Sequence, residues 1–280
     1  MDVLRTHPIF GAHKVQEDQA AFFRIGPLSL EIQRRRFEWR VLSTRSKDPL
    51  ESSSEAIVPC APTVSPGRSV HTVRFGVDGP IEDIVLSPTL PDRAIVCATD
   101  PELLVPPDET VTLHVGTPIW IRVDLAEPSE ALQARKKLLE VPSVVLSDTW
   151  FGPPTASEGE VCYAIRTAGR LHRENLPDRA HIARTEVTIG NRARDHLSVA
   201  KLRIPIPVLG LYLSQDLQLR TNRMSLVRRD DRDMAELRVD DQNTEGLGEL
   251  VATPRSAEEN ALVRAFSSVL SLGSAAFGGG

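Results

Sequence analysis

The residues best equipped for chemistry lie in one stretch. Ser147-Asp148-Thr149-Trp150-Phe151-Gly152-Pro153-Pro154 runs on through Glu158-Gly159-Glu160-Val161-Cys162-Tyr163-Ala164. Proline fixes φ and lacks an N–H, so the Gly and double Pro predict a stiff loop between regular elements. On a strand starting at Glu160, alternation places Glu160, Cys162, Ala164 and Arg166 on one face and Val161, Tyr163 and Ile165 on the other. The Val/Tyr/Ile face reads as the apolar one, leaving Glu160 and Arg166 on the wet side with the cysteine between them. Asp148, Trp150, Phe151, Glu160, Cys162 and Tyr163 are therefore the candidate ligand- or partner-binding residues. A pocket joining Asp148, Glu160 and Cys162 would offer acid–base and nucleophilic chemistry. Thiol attack needs a neighbouring base, however, and no histidine lies within the Cys162 strand. The competing structural reading gives Asp148 to a turn, Trp150 and Phe151 to the core and Glu160 to an arginine. No residue is assigned a catalytic role.

The remaining chemistry-bearing residues form no recognised pattern. There is no P-loop, no GxGxxG, no GxSxG elbow and no HExxH. The seven histidines are never spaced at i, i+2 or i+4, and only His172 and His181 flank a common turn, so no metal and no cofactor is expected. Cys60, Cys97 and Cys162 are scattered, which fits buried thiols in a reducing compartment. A net charge of −5 and a pI near 5.9 argue against a dedicated nucleic-acid binder. Arginine outnumbers lysine 28 to 5, a bias that GC-rich coding produces without any function. No apolar run reaches the roughly 20 residues of a membrane span. The first residues show no secretory pattern, and the expected location is cytoplasmic.

Elements must position these residues, and the hydrophobic rhythm is almost everywhere the period of two expected of strands. Leu28, Leu30 and Ile32 alternate with polar residues, and so do Phe37, Trp39 and Val41, with Arg34, Arg36 and Arg40 on the solvent side. Residues 46–69 are rich in Ser, Pro and Glu and predict a long mobile loop. Further short strands follow at close spacing: 70–75, 81–86, 94–97, 111–115 and 119–125. The last carries Trp120, Arg122 and Asp124 opposite Ile121, Val123 and Leu125. Glu127–Glu140 fits either a short helix capped by Ser129 or a strand through Leu139 and Val141. Strands resume at 161–168, 182–189, 197–204, 208–213 and 234–239, with Pro205-Ile206-Pro207 marking a strand end or edge. Ser256 with Glu259 is a capping-box pattern. Leu262, Val263, Phe266, Val269 and Leu270 then form a helical stripe ending at Gly273. The fold class is all-β, antiparallel sandwich or barrel-like lobes, with a C-terminal α-helix. Two lobes, 1–125 and 126–250, precede an amphipathic helix and glycine tail at 251–280.

Three runs carry a family resemblance: Gly116-Thr117-Pro118-Ile119-Trp120, Leu146-Ser147-Asp148-Thr149-Trp150-Phe151-Gly152-Pro153 and Glu158-Gly159-Glu160-Val161-Cys162-Tyr163-Ala164. With Ile204-Pro205-Ile206-Pro207 and Leu209-Gly210-Leu211-Tyr212, they make residues 20–240 resemble an uncharacterised prokaryotic family, domain of unknown function four-three-two. The resemblance implies no established activity. It implies a soluble accessory role beside small mechanosensitive-type channels, with Asp148, Trp150, Glu160, Cys162 and Tyr163 as the matching site positions. The expected function is a non-catalytic interaction or ligand-binding module, an accessory subunit of a larger assembly with a protein partner or self-association. The alternatives are a small-molecule enzyme using Asp148, Glu160 and Cys162, and a soluble partner of a membrane channel. The C-terminal helix would offer peripheral membrane association.

Overall fold

The computed structural model describes residues 7–63, 70–78, 83–126, 135–152, 159–230, 234–257 and 262–267. Within them nearly every element is a strand. The first are β1 (Gly11–Lys14), β2 (Ala20–Ile25), β3 (Leu28–Arg35), β4 (Glu38–Arg45), β5 (Ser54–Cys60), β6 (His71–Gly76) and β7 (Asp83–Thr89). Next come β8 (Ile95–Val105), β9 (Thr110–Pro118), β10 (Trp120–Ala126), β11 (Arg135–Pro142), β12 (Ser147–Phe151), β13 (Glu160–Ala164), β14 (Ile182–Asn191) and β15 (Leu197–Ile204). The last are β16 (Leu211–Leu213), β17 (Leu219–Thr221), β18 (Arg223–Arg228), β19 (Met234–Asp240), β20 (Glu249–Ala252), β21 (Leu262–Arg264) and β22 (Phe266–Ser267).

Among the described residues the strands form four open sheets. Their orders are β5-β2-β3-β4-β6, β1-β7-β10-β11, β12-β13-β8-β15-β22, and β20-β16-β17-β14-β18-β19-β21 with β9 along the other side of β14. The all-β class holds, and the two-residue rhythm is the cause: Leu28, Leu30, Ile32, Ile119, Ile121, Val123 and Leu125 are all fully buried. Pairing is mostly antiparallel, but β13 runs parallel to β8, and β14 runs parallel to both β17 and β18. These pairs join strands far apart in sequence, which a hairpin cannot do.

Among the described residues of the expected C-terminal helix, none is helical. Residues 262–267 are strand: β21 pairs with β19, and Phe266 of β22 pairs with Leu202 of β15. Burying Phe266 contributes on the order of 2–3 kcal/mol, and two sheet edges gain backbone partners that a helix would leave open. The residues from 268 onward, with Val269, Leu270 and Gly273, lie outside the described residues, as do Ser129 and Leu132. At 135–142 the strand reading prevails. β5 occupies part of the stretch expected to be a mobile loop.

Two further expectations change. Phe37 sits in the turn before β4, exposed, with Arg36 over its ring at 5.2 Å, and Arg34 is buried with its guanidinium over Trp39 at 5.9 Å. A division at residue 125 is not followed by strand pairing. One core extends from Ile9 to Phe266, and β10 pairs with β11, β8 with β15, and β9 with β14 across that boundary.

Candidate functional site

The paired strands β12 and β13, at one edge of their sheet, place the six sequence candidates. β12 and β13 pair antiparallel, with Asp148 opposite Tyr163, Thr149 opposite Cys162, Trp150 opposite Val161 and Phe151 opposite Glu160. Opposed residues project to one side, so Asp148, Trp150, Val161 and Tyr163 share a face while Phe151, Glu160 and Cys162 share the reverse. The buried face is thus the cysteine one, contrary to the sequence reading. Cys162 and Phe151 close a small cluster with Ala94 and Val96.

On that inner side, the Cys162 thiol lies 3.5 Å from Glu160 Oε1, and burial pushes its pKa up to about 11. Glu160 forms an ion pair with Arg203, whose guanidinium pKa is lowered by burial. Asp148 lies on the opposite side of the sheet, so the trio Asp148, Glu160 and Cys162 does not converge.

The outer side is wet and aromatic. Asp148, largely exposed, pairs with Arg93 at 3.3 Å, and Arg93 lies over the Tyr163 ring at 5.3 Å. The Tyr163 hydroxyl donates to Asp92 at 2.9 Å; burial first, then Asp92, raises the phenol above its ordinary pKa. Trp150 and Val161 are both nearly half exposed, at 47% and 48%. The indole covers Gly159, where a Cβ would lie 2.3 Å from Cζ2.

From Tyr163 an aromatic–cation row leads to a region that sequence reading passed over. The Trp120 ring tilts against Tyr163 at 6.2 Å, and Arg255 lies over Trp120 at 5.7 Å. Beyond Arg255 opens a cleft of about 540 Å³ between β7, β10, β11 and the segment Val251–Arg255. Arg122 and Asp124 are among its lining residues; Arg122 Nε donates to both Asp124 oxygens at 2.8 and 2.9 Å. Glu140 accepts from Lys137 and Arg255, each at 2.7 Å, and both cations hold its carboxyl below the usual range against the opposing effect of burial. Four cationic residues (Arg122, Arg135, Lys137, Arg255) and two carboxylates (Asp124, Glu140) line it among the described residues. The signal was in the sequence, because three polar or aromatic residues alternate with three fully apolar ones along 120–125.

Elsewhere, His181 is fully buried while His172 is exposed. Among the described residues no three of His, Cys, Asp and Glu gather as a metal site, and no helix is long and apolar enough to cross a membrane. The chain also has arginine runs at 34–36 and 228–229, and each loses a member to the interior: Arg34 and Arg228 are buried, and Arg228 pairs with Asp195 at 2.9 Å.

No curated protein and no solved structure matches the chain. A family model does, over residues 9–271, covering both the hairpin and the cleft. The chain belongs to the family described as Protein of unknown function (DUF432).

Proposed function

We propose that this protein is a non-catalytic interaction module, an accessory subunit that captures an extended segment of a partner protein along the outer edge of β12. The observation that carries this reading is the exposed Trp150 on β12, the terminal strand of its sheet, opposite the exposed Val161 of β13. An edge strand exposes a row of N–H and C=O groups, and Ser147–Phe151 contains neither the Lys nor the Pro that ordinarily blunts such an edge. A partner strand would gain main-chain hydrogen bonds there, with Trp150 as the aromatic anchor and the Arg93–Asp148 pair setting the charged end. The family resemblance points to a soluble segment of a membrane channel as one such partner.

Selection of peptides from a random display library on the full chain tests this. Captured peptides should alternate apolar residues, protect amides 147–151 from hydrogen exchange and lose binding to Trp150→Lys. Protection elsewhere, or binding indifferent to Trp150→Lys, would overturn it. Light scattering of the purified chain separates self-association through the same edge.

A second reading, a small-ligand module, is favoured by the 540 Å³ cleft. Trp120 stacks beneath Arg255 at its margin, so a ligand seated there should change Trp120 emission, and Trp120→Phe should abolish the response. A panel of small polar metabolites that leaves emission unchanged would dispose of it.

A further inference from the structure

The sheet built around β14 gathers arginines in register. Arg184 of β14 stands level with Arg220 of β17 on one side and with Gly116 of β9 on the other. Two residues on, Glu186 is level with His114, and Arg223 precedes the Met224–Val187 register by one step, lying 3.9 Å from Glu186. Adjacent strands are about 4.8 Å apart, so like charges in register repel and normally destabilise a sheet. Arg173, from the short turn Arg173–Asn175, adds a fourth guanidinium. These groups line one cavity of about 90 Å³, well below the volume a drug-sized ligand needs.

The fold offsets only the outer part of this charge. Arg184 pairs with Asp178 and donates to the Leu176 carbonyl; Arg220 pairs with Asp216 at 3.4 Å and donates to the Gly246 carbonyl at 2.6 Å. Both carboxylates are more than half exposed, on the solvent side. The cavity itself is lined by four arginines against Glu186 alone. Arg220 Nε is buried with no hydrogen-bond acceptor among the described residues. The hydroxyls of Thr221 and Thr185 lie 3.0 Å apart. Gly116 contributes no side chain beside Arg184; a Cβ there would lie 2.9 Å from Ile182 Cγ2. Burial, with Arg173 and Arg220 adding to it, lowers the Arg184 pKa against the opposing pull of Asp178.

We propose that this cavity is an oxyanion site that takes one tetrahedral group of phosphate or sulfate size, free or as the head of a larger molecule. Guanidinium forks from three strands and a turn supply several N–H donors to such a group, and Arg220 Nε gains its missing acceptor. The site lies in a different sheet from the β12 edge and stands independently of the partner reading.

Titration calorimetry and phosphorus NMR on the full chain, at constant ionic strength, test it with two probes. Inorganic phosphate represents the free ion, and glycerol phosphate represents the head of a larger molecule. Saturable binding of either, absent for chloride, is expected; preference for the ester identifies the larger source. Arg220→Gln should weaken binding by about tenfold or more. Arg173→Gln, on the exposed turn, should weaken it without changing the melting temperature, which keeps the test valid if Arg220→Gln fails to fold. Arg229→Gln, at an arginine just past the end of β18 that pairs with Glu236, should leave affinity unchanged. No binding in the millimolar range, or equal binding by wild type and Arg173→Gln, would overturn the proposal.

Discussion

Asp148 and Tyr163 face each other across the β12–β13 ladder, while Cys162, one residue from Tyr163, points to the opposite side of the same sheet. That single step in register separates a wet, charged surface from a dry cluster. It leaves the carboxylate unable to act as a base for the thiol, and it assigns each residue a different experiment.

Thiol reactivity should rank by burial. Cys162 is raised to about 11 and Cys97 to about 12 by burial; Cys60, on β5, is raised too, by burial and then Glu31, but it is only half-buried. The thiolate is the reactive form, so an alkylating reagent near neutral pH should label Cys60 first in the native protein. Cys97 and Cys162 should label only on unfolding. Mass spectrometry of the labelled peptides reads this, and rapid native labelling of Cys162 would contradict the buried placement.

Acid should weaken the fold through His181. Burial, outweighing the Pro49 backbone carbonyl, lowers its pKa from 6.5 to about 4. Gly26 makes this close packing possible: its φ is +57°, and a Cβ there would lie 2.1 Å from His181 Nδ1. The unfolded chain therefore takes up the proton first, so the contribution is complete above the ordinary pKa and drains as pH falls towards the folded one. The loss is at most about 3 kcal/mol. His7, also lowered to about 4 by burial, acts in the same direction. Denaturant midpoints at neutral and mildly acidic pH should converge less for wild type than for His181→Gln, and equal pH slopes would refute the assignment.

The Arg122–Asp124 pair should respond asymmetrically. Asp124 is 2% exposed and Arg122 40%. Arg122→Ala strands a buried carboxylate and should cost about 2–3 kcal/mol, discounted from a fully buried pair because the arginine is partly solvated. Asp124→Asn leaves a guanidinium that water already reaches, and should cost about 1 kcal/mol. Urea unfolding of the two variants distinguishes them, and equal losses would show that the pair is not what holds Asp124.

Phe266 should behave as a core residue of a strand. It is 1% exposed and lies against β15. Phe266→Ala should destabilise by about 3–5 kcal/mol, and amide exchange at Arg203, whose N–H donates to the Ala265 carbonyl at 2.9 Å, should accelerate with it. A helical docking of this segment would leave that amide unaffected.

Strand content was legible because Leu28, Leu30 and Ile32, or Ile121, Val123 and Leu125, follow the pleat directly. What stayed hidden depended on distant partners. Leu262, Val263 and Phe266 satisfy a helical stripe and a pair of short strands equally well, and β19 and β15 decide between them. The facing of β13 was misread because its dry side brings only Cys162 to a cluster with Ala94, Val96 and Phe151, while Val161 lies outward, opposite Trp150. Trp120, Arg122 and Asp124 were visible as a polar face. Their cleft was not, because Arg255 arrives from the far end of the chain. The arginine excess, attributable to coding, hid the register that places Arg184 beside Arg220.

β9 and β14 are joined along nine consecutive residue pairs, one from each half of the chain. Cutting the polypeptide between them would give two fragments, each presenting a long, apolar, unsatisfied ladder. Such pieces would precipitate when made alone and regain solubility only when mixed, so the molecule has to be truncated from its margins rather than bisected.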